Sequence, residues 1–101
     1  MNIAEFQKLM KDLYFSSDSQ RGITRTALWL VEEMGELMHE LKKPENQMKK
    51  SAIEEEMADI LAWTASLANL LQIDLESAAH KKYPGYCIKC GQNPCTCKKL
   101  L

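Results

Sequence analysis

The chain has 101 residues, of which 46% are hydrophobic and 27% are charged, and its formal net charge is −1 at pH 7. This length allows one domain with a small core, which commonly depends on oligomerisation or a bound metal for stability. The balanced charge excludes a global attraction to nucleic acid or membranes, and no apolar run is long enough to cross a bilayer. Because the N-terminus lacks the basic-then-apolar order of a signal peptide, we expect a cytoplasmic protein.

The first half of the chain predicts two helices. Residues 3–15 carry apolar side chains at steps of three and four residues, which is typical of an amphipathic helix. The small polar residues and the glycine of 16–22 predict a turn. Thr24 is the expected cap of a second helix, which should run from about Arg25 to Lys43 because Pro44 follows.

The third helix follows a short connection. Ser51 and Glu54 have the spacing of a capping box, although a start nearer Asn46 also fits, and the helix should continue to about Leu71. Helices two and three are apolar over more than one face, so each needs cover on several sides. We therefore expect an all-α, antiparallel bundle of about four helices that also contacts another subunit.

A short fourth helix precedes a tail of different composition. Asp74 is the expected cap of this helix, Leu75 to Lys82, and Pro84 ends it. All four cysteines come later in the chain. The sequence therefore predicts a helical domain over residues 1–84 and a cysteine-rich tail over residues 85–101.

Helices two and three each carry two carboxylates three residues apart, a spacing that places both on one helix face. In an antiparallel hairpin, facing residues have a constant sum of residue numbers. A hairpin that turns within Pro44–Lys50 pairs Glu33 with Asp59 and Glu36 with Glu56. The chain connectivity therefore brings the four carboxylates together.

The same register pairs Trp29 with Trp63 and Glu40 with Ala52, one turn to either side of the acidic cluster. Four facing carboxylates would repel one another unless a cation neutralised them. Oxygen ligands suit magnesium or manganese, which proteins commonly hold together with substrate phosphates. The pattern favours a polyphosphate substrate, and a solvated acidic face is the alternative interpretation.

The segments around these carboxylates resemble a known family. Glu32-Glu33-x-x-Glu36 followed by Glu56-x-x-Asp59 is similar to the EExxE and ExxD signature of the MazG-like, all-alpha nucleoside triphosphate pyrophosphohydrolases. The resemblance covers roughly residues 3–84 and implies hydrolysis of nucleoside triphosphates to the monophosphate and diphosphate. It also implies a homodimer or homotetramer, with magnesium held by Glu33, Glu36, Glu56 and Asp59.

The resemblance implies further site residues. Glu32 would orient water or face solvent, aromatic residues would enclose the base, and basic residues near the end of the last helix would contact phosphates. Arg21, in the predicted turn, is another candidate phosphate contact, while ordinary core packing and solvent exposure are the alternatives. The candidate substrate-binding residues are Trp29, Trp63, Arg21, Lys81 and Lys82.

The tail contains Cys87-x2-Cys90-Gly91 and then Cys95-x-Cys97. The first half resembles a zinc knuckle, in which two thiolates bind the metal and a glycine allows the tight turn beneath it. Structural zinc bound by the four cysteines is the favoured interpretation, with disulfides or free thiols as the alternative. Four protein ligands would leave no open position for catalysis.

Two other functions fit parts of the sequence. Glu36 and His39 match half of a di-iron carboxylate motif, but the third helix offers no histidine to complete it. The main alternative to an enzyme is a non-catalytic helical oligomer that binds a protein or nucleic acid through a zinc module. The run Lys98–Lys99 provides too few positive charges to bind phosphates strongly, so nucleic acid is not the expected partner.

Overall fold

The computed structural model describes residues 1–98, which form four α-helices and contain no strand. None of these helices is both long enough and apolar enough to span a membrane. The prediction of an all-α fold is confirmed, and Lys99 and the end of the predicted tail lie outside the described residues. The helices are α1 (Ile3–Arg21), α2 (Ile23–Leu41), α3 (Lys50–Leu70) and α4 (Leu75–Lys82), with a short 3-10 turn at Glu45–Gln47.

The predicted turn over residues 16–22 is wrong, because α1 continues to Arg21 and only Gly22 separates it from α2. Asp18 is buried within this stretch and pairs with Arg21 one turn later in the same helix, so burial in the bundle and a local ion pair together outweigh the weak local helix propensity. Gly22 has a φ of 87°, a conformation that favours glycine, and its N–H donates to the carbonyl of Asp18. The predicted cap at Thr24 is also wrong, since α2 begins at Ile23.

Helices α2 and α3 form the predicted antiparallel hairpin. Trp29 stacks on Trp63, and near the turn the carboxylate of Glu40 accepts from the backbone N–H of Lys49 at 2.7 Å. This contact covers the N-terminus of α3, so the predicted capping box at Ser51 is wrong. A side chain from the neighbouring helix supplies the acceptor that sequence-local capping would have supplied.

Glu40 is a buried carboxylate that joins both ends of the turn. It also accepts from Lys43 Nζ at 2.7 Å. The hydrogen bonds from Lys43 and from the N–H of Lys49 hold the pKa of Glu40 below its usual value. The turn is therefore closed by an ionised side chain rather than by apolar packing.

Gln7 joins α1 to α3 and α4. Its amide nitrogen donates to Asn69 Oδ1 at 3.0 Å and to the carbonyl of Ile73 at 2.7 Å, while its Oε1 accepts from the N–H of Leu75. The carboxylate of Asp74 accepts from the N–H of Ser77, which confirms the predicted cap of α4. These hydrogen bonds seat α1 and α4 at the C-terminal end of α3.

The core of the single chain is thin. The buried apolar side chains within residues 1–98 are Met10, Ala65 and Ala68. In contrast, one face of α2 exposes six large apolar side chains over its whole length, and Gly35 lies within the same face. These six are Ile23, Leu28, Val31, Met34, Met38 and Leu41, and we call them the α2 apolar face.

Candidate metal and substrate site

Three carboxylates converge where α2 faces α3. Glu33 lies near the middle of α2, and Glu56 and Asp59 lie one turn apart on α3. One oxygen from each carboxylate lies within 4.8 Å of the other two. Glu33 and Glu56 are half-buried and Asp59 is exposed, so the cluster opens to solvent at Asp59.

The electrostatics of this cluster are unfavourable without a cation. When both carboxylates are ionised, Glu33 Oε2 and Glu56 Oε2 are shielded from solvent and no donor reaches them in the described chain. Burial, a shared proton with Glu56 and the surrounding negative charges raise the pKa of Glu33 from 4.5 to about 7. The ionised form of Glu33 is therefore unfavourable in this site, and either a proton or a bound cation can neutralise its charge.

Glu36 and Glu32 lie beside the cluster rather than in it. Glu36 is exposed and is not among the three converging carboxylates, although its charge contributes to the raised pKa of Glu33. Residues three apart on a helix are rotated by about 60°, and the exposure of Glu36 places it on the solvent side of the cluster. Glu32 is exposed as well. Glu36 therefore does not converge with Glu56 as closely as the register of the hairpin predicted.

The two tryptophans meet one helical turn from the carboxylates. The ring centroids of Trp29 and Trp63 are 6.0 Å apart and their planes differ by 9°. Trp29 precedes Glu33 by four residues, and Trp63 follows Asp59 by four, so both rings lie on the face that carries the cluster. Trp29 remains 44% exposed and can accept a further planar group.

Arg21 completes the aromatic side of the site. Its guanidinium carbon lies 4.8 Å from the centre of the Trp63 ring, within the range of a cation–π interaction. Its Nη1 donates to Asp18 at 2.8 Å and makes a longer contact, 3.4 Å, with the hydroxyl of Thr26. Arg21 is therefore held at the site by α1, and it does not lie in a loop as the sequence suggested.

Asp18 is a residue that sequence analysis missed. It is 1% exposed, and its Oδ2 has no partner among the atoms of residues 1–98. The signal was present, because Asp18 and Arg21 have the three-residue spacing of a helical ion pair. The small polar residues around Asp18 favour a turn, and a turn would separate Asp18 from Arg21.

Lys81 and Lys82 are not brought to the carboxylates within this chain. Both are exposed at the end of α4, and α4 packs mainly against α1. Lys82 instead borders an open hollow of about 950 Å³ between α4 and the tail, where Tyr83 and Tyr86 also lie. The hollow is thus separate from the acidic cluster.

The four cysteines of the tail form a second cluster. Their sulfurs all lie within 4.8 Å of one another. Hydrogen bonds from the backbone N–H groups of Thr96 and Gln92 lower the pKa of Cys90 to about 5. Hydrogen bonds with the three neighbouring sulfurs raise the pKa of Cys97 to about 12. The two clusters differ in chemistry, since one offers hard oxygen donors and the other soft sulfur donors.

The acidic cluster has the properties expected of a divalent-cation site. Its donors are carboxylate oxygens, two of them buried and without a proton donor, and Asp59 leaves the site open to solvent. Hard oxygen donors with room for water or phosphate suit magnesium. Glu33, Glu56 and Asp59 could therefore hold the ion, with Glu36 at the open side.

Comparison with known proteins agrees with this chemistry. Residues 21–86, well over half of the chain, match the model of the MazG nucleotide pyrophosphohydrolase domain. The matched segment includes every carboxylate of the acidic cluster and both tryptophans, and it ends just before Cys87. No curated protein matches the chain at a significant level.

Proposed function

Because the chain belongs to the MazG nucleotide pyrophosphohydrolase family, we propose that it hydrolyses nucleoside triphosphates to the monophosphate and diphosphate with magnesium as cofactor. The observation that carries this proposal is the convergence of Glu33, Glu56 and Asp59, two of which have buried oxygens without a donor. A triphosphate is the kind of substrate that shares a magnesium ion with such carboxylates.

The proposed roles follow from position. Glu33, Glu56 and Asp59 hold the cation, and Glu36 joins them from the exposed side. When bound, magnesium neutralises phosphate charge and makes a coordinated water more acidic. Glu32 is exposed next to Glu33 and is the candidate for orienting the attacking water.

The reaction has a simple balance of bonds. A water oxygen bonds to the α-phosphorus, the bond from that phosphorus to the α–β bridging oxygen breaks, and the diphosphate leaves. The attacking water gives up one proton in the same step, for which the exposed carboxylate of Glu32 is the proposed acceptor, and the proton then passes to solvent. The guanidinium of Arg21 lies against one face of the Trp63 ring, where it can bind the negatively charged triphosphate.

The aromatic pair is the proposed binding surface for the base. Trp29 is the more exposed ring, and its plane is already set by Trp63. A base that stacks on a preordered ring loses less entropy than one that must order the ring itself. Lys81 and Lys82 would reach the substrate only from another subunit, so they stay secondary candidates.

The catalytic proposal is tested by measuring diphosphate release from a panel of ribo- and deoxynucleoside triphosphates with magnesium present. We expect Glu56→Gln and Asp59→Asn each to lower turnover by roughly 100-fold or more, and Glu36→Gln to abolish most activity as well. Glu55→Gln is the matched control, because Glu55 is an exposed neighbour with the same charge. Folded protein that releases no diphosphate across the panel would favour the non-catalytic oligomer.

The α2 apolar face supports a second proposal, that the active form is a homodimer or homotetramer. Six exposed large side chains on one helix exceed what a small soluble domain leaves uncovered. We expect Val31→Lys and Met38→Lys to shift sedimentation toward the monomer, whereas Gln20→Lys on exposed α1 should leave it unchanged. A wild-type chain that sediments as a monomer would contradict this proposal.

A further inference from the structure

The cysteine tail follows the family match and has a geometry of its own. Cys87 Sγ lies 3.8 Å from Cys97 Sγ, and Cys90 Sγ lies 3.9 Å from Cys95 Sγ. A disulfide bond is about 2.05 Å long, so these sulfurs are near one another but not bonded. In sequence order, the first cysteine therefore lies next to the last, and the second lies next to the third.

These distances match a particular metal shell. In a tetrahedron the edge is about 1.63 times the distance from centre to vertex, so a zinc–sulfur distance of about 2.3 Å gives sulfurs about 3.8 Å apart. The Cys87–Cys97 and Cys90–Cys95 separations agree with that edge to about 0.1 Å. All four sulfurs lie within 4.8 Å of one another, so a single ion can contact every one.

The backbone around the sulfurs also favours metal binding. The N–H of Gly91 donates to the carbonyl of Cys87 at 2.7 Å, and Gly91 has a φ of 74°, which closes a tight turn beneath the first two sulfurs. The N–H of Thr96 points at Cys90 Sγ, and the N–H of Cys97 points at Cys95 Sγ. Backbone donors aimed at sulfur stabilise thiolates, which are the form that binds metal.

Little else holds this segment together. Tyr86 and Ile88 are each 55% exposed, so they do not form an apolar core for the tail. The Cys87–Gln92 backbone bond and the Asn93 side-chain bond to Gly85 are local to the segment. Lys89 and Lys98 are exposed beside the sulfurs and would offset the negative charge of a tetrathiolate centre.

We propose that Cys87, Cys90, Cys95 and Cys97 bind one zinc ion in a closed tetrahedral shell, and that this ion folds residues 85–98 as a unit separate from the acidic cluster. Four thiolate ligands leave no position for substrate, so the role is structural. Because a tail without a core is ordered mainly by its ligands, removal of zinc should unfold residues 85–98 while α1 to α4 remain.

The first measurement is the metal content of full-length protein purified under reducing conditions. We expect one zinc per chain in the wild type, and loss of zinc in Cys90→Ser and Cys95→Ser. Thr96→Ser, which keeps all four sulfurs, and Asp59→Asn, which alters only the acidic cluster, should both retain it. Loss of zinc in Asp59→Asn together with retention in Cys90→Ser would overturn the assignment.

The second measurement uses the wild-type protein, so its outcome does not depend on whether a variant folds. Cobalt added to chelator-stripped wild type should give the intense absorption bands of a tetrahedral thiolate complex, and zinc should then abolish them. Trypsin should cut after Lys89 faster once the metal is removed, while far-ultraviolet circular dichroism stays close to its original value. A zinc-free wild type, or one whose cysteines form disulfides under the same reducing conditions, would refute the proposal.

Discussion

Trp29 on α2 stacks on Trp63 of α3 with 6.0 Å between the ring centroids, and Trp63 in turn lies 4.8 Å from the guanidinium of Arg21. The three side chains come from three different helices. The helices α1, α2 and α3 therefore pack together at this point, one turn away from the acidic cluster.

Replacing Trp29 should weaken substrate binding more than it slows the reaction. A base stacked on an aromatic ring is worth about 1–3 kcal/mol, so Trp29→Ala should raise KM by roughly 5- to 150-fold. Trp29→Phe keeps a planar ring and should recover part of the loss. Steady-state kinetics with one triphosphate would measure the effect, and an unchanged KM in Trp29→Ala would place the base elsewhere.

The raised pKa of Glu33 predicts a pH dependence of stability in metal-free protein. The folded chain binds a proton at Glu33 up to about pH 7, whereas the unfolded chain releases it near 4.5. Stability of the metal-free protein should therefore fall as pH rises between these values and then level off. Magnesium should become more stabilising above pH 7, where it no longer competes with the proton.

The control for this pH effect is Glu33→Gln, which cannot titrate. Thermal unfolding in the presence of a chelator at pH 5 and pH 8 would compare the two proteins. We expect the difference in stability between wild type and Glu33→Gln to shift in favour of the variant as pH rises. A difference that is the same at both pH values would rule out a raised pKa at this site.

Asp18→Asn should lower both stability and substrate affinity. Asp18 is buried and holds Arg21, so its loss leaves a cation without its partner and should cost about 1–3 kcal/mol. Asp12→Asn is the matched control on the same helix, because its ion pair with Lys8 is exposed and should contribute less than about 1 kcal/mol. Urea unfolding and KM would be measured for both, and equal effects would contradict a positioning role for Asp18.

Gln7→Ala should loosen the attachment of α1 and α4. The Gln7 side chain makes hydrogen bonds to Asn69, Ile73 and Leu75, and removing it leaves those groups without partners, which should cost about 1–3 kcal/mol. Gln20→Ala, an exposed change on the same helix, should have little effect. Both would be compared by urea unfolding at one protein concentration, since an oligomer's stability depends on concentration.

The local sequence was sufficient for much of the fold. Apolar periodicity, composition, caps and prolines predicted four helices, and Asp74 was identified correctly as the cap of α4 because that contact lies within three residues. The hairpin register was also predictable, since chain connectivity and helix geometry alone bring Trp29 to Trp63. The convergence of Glu33 with Asp59 follows from the same arithmetic.

Other features depended on contacts between distant residues. The polar stretch around Asp18 is helical because the rest of the bundle buries Asp18, which local propensity does not reveal. The start of α3 is set by Glu40, nine residues before Lys49, rather than by Ser51.

The sequence by itself therefore determined the helices, the hairpin register and the type of ligand in each cluster, because these depend on periodicity, spacing and side-chain chemistry. Only the tertiary structure decided which carboxylates converge, that Arg21 is held against Trp63, and that two of the sulfur–sulfur separations match the edge of a metal tetrahedron. Those properties depend on distances of a few ångströms between elements, and such distances follow from packing rather than from the order of residues along the chain.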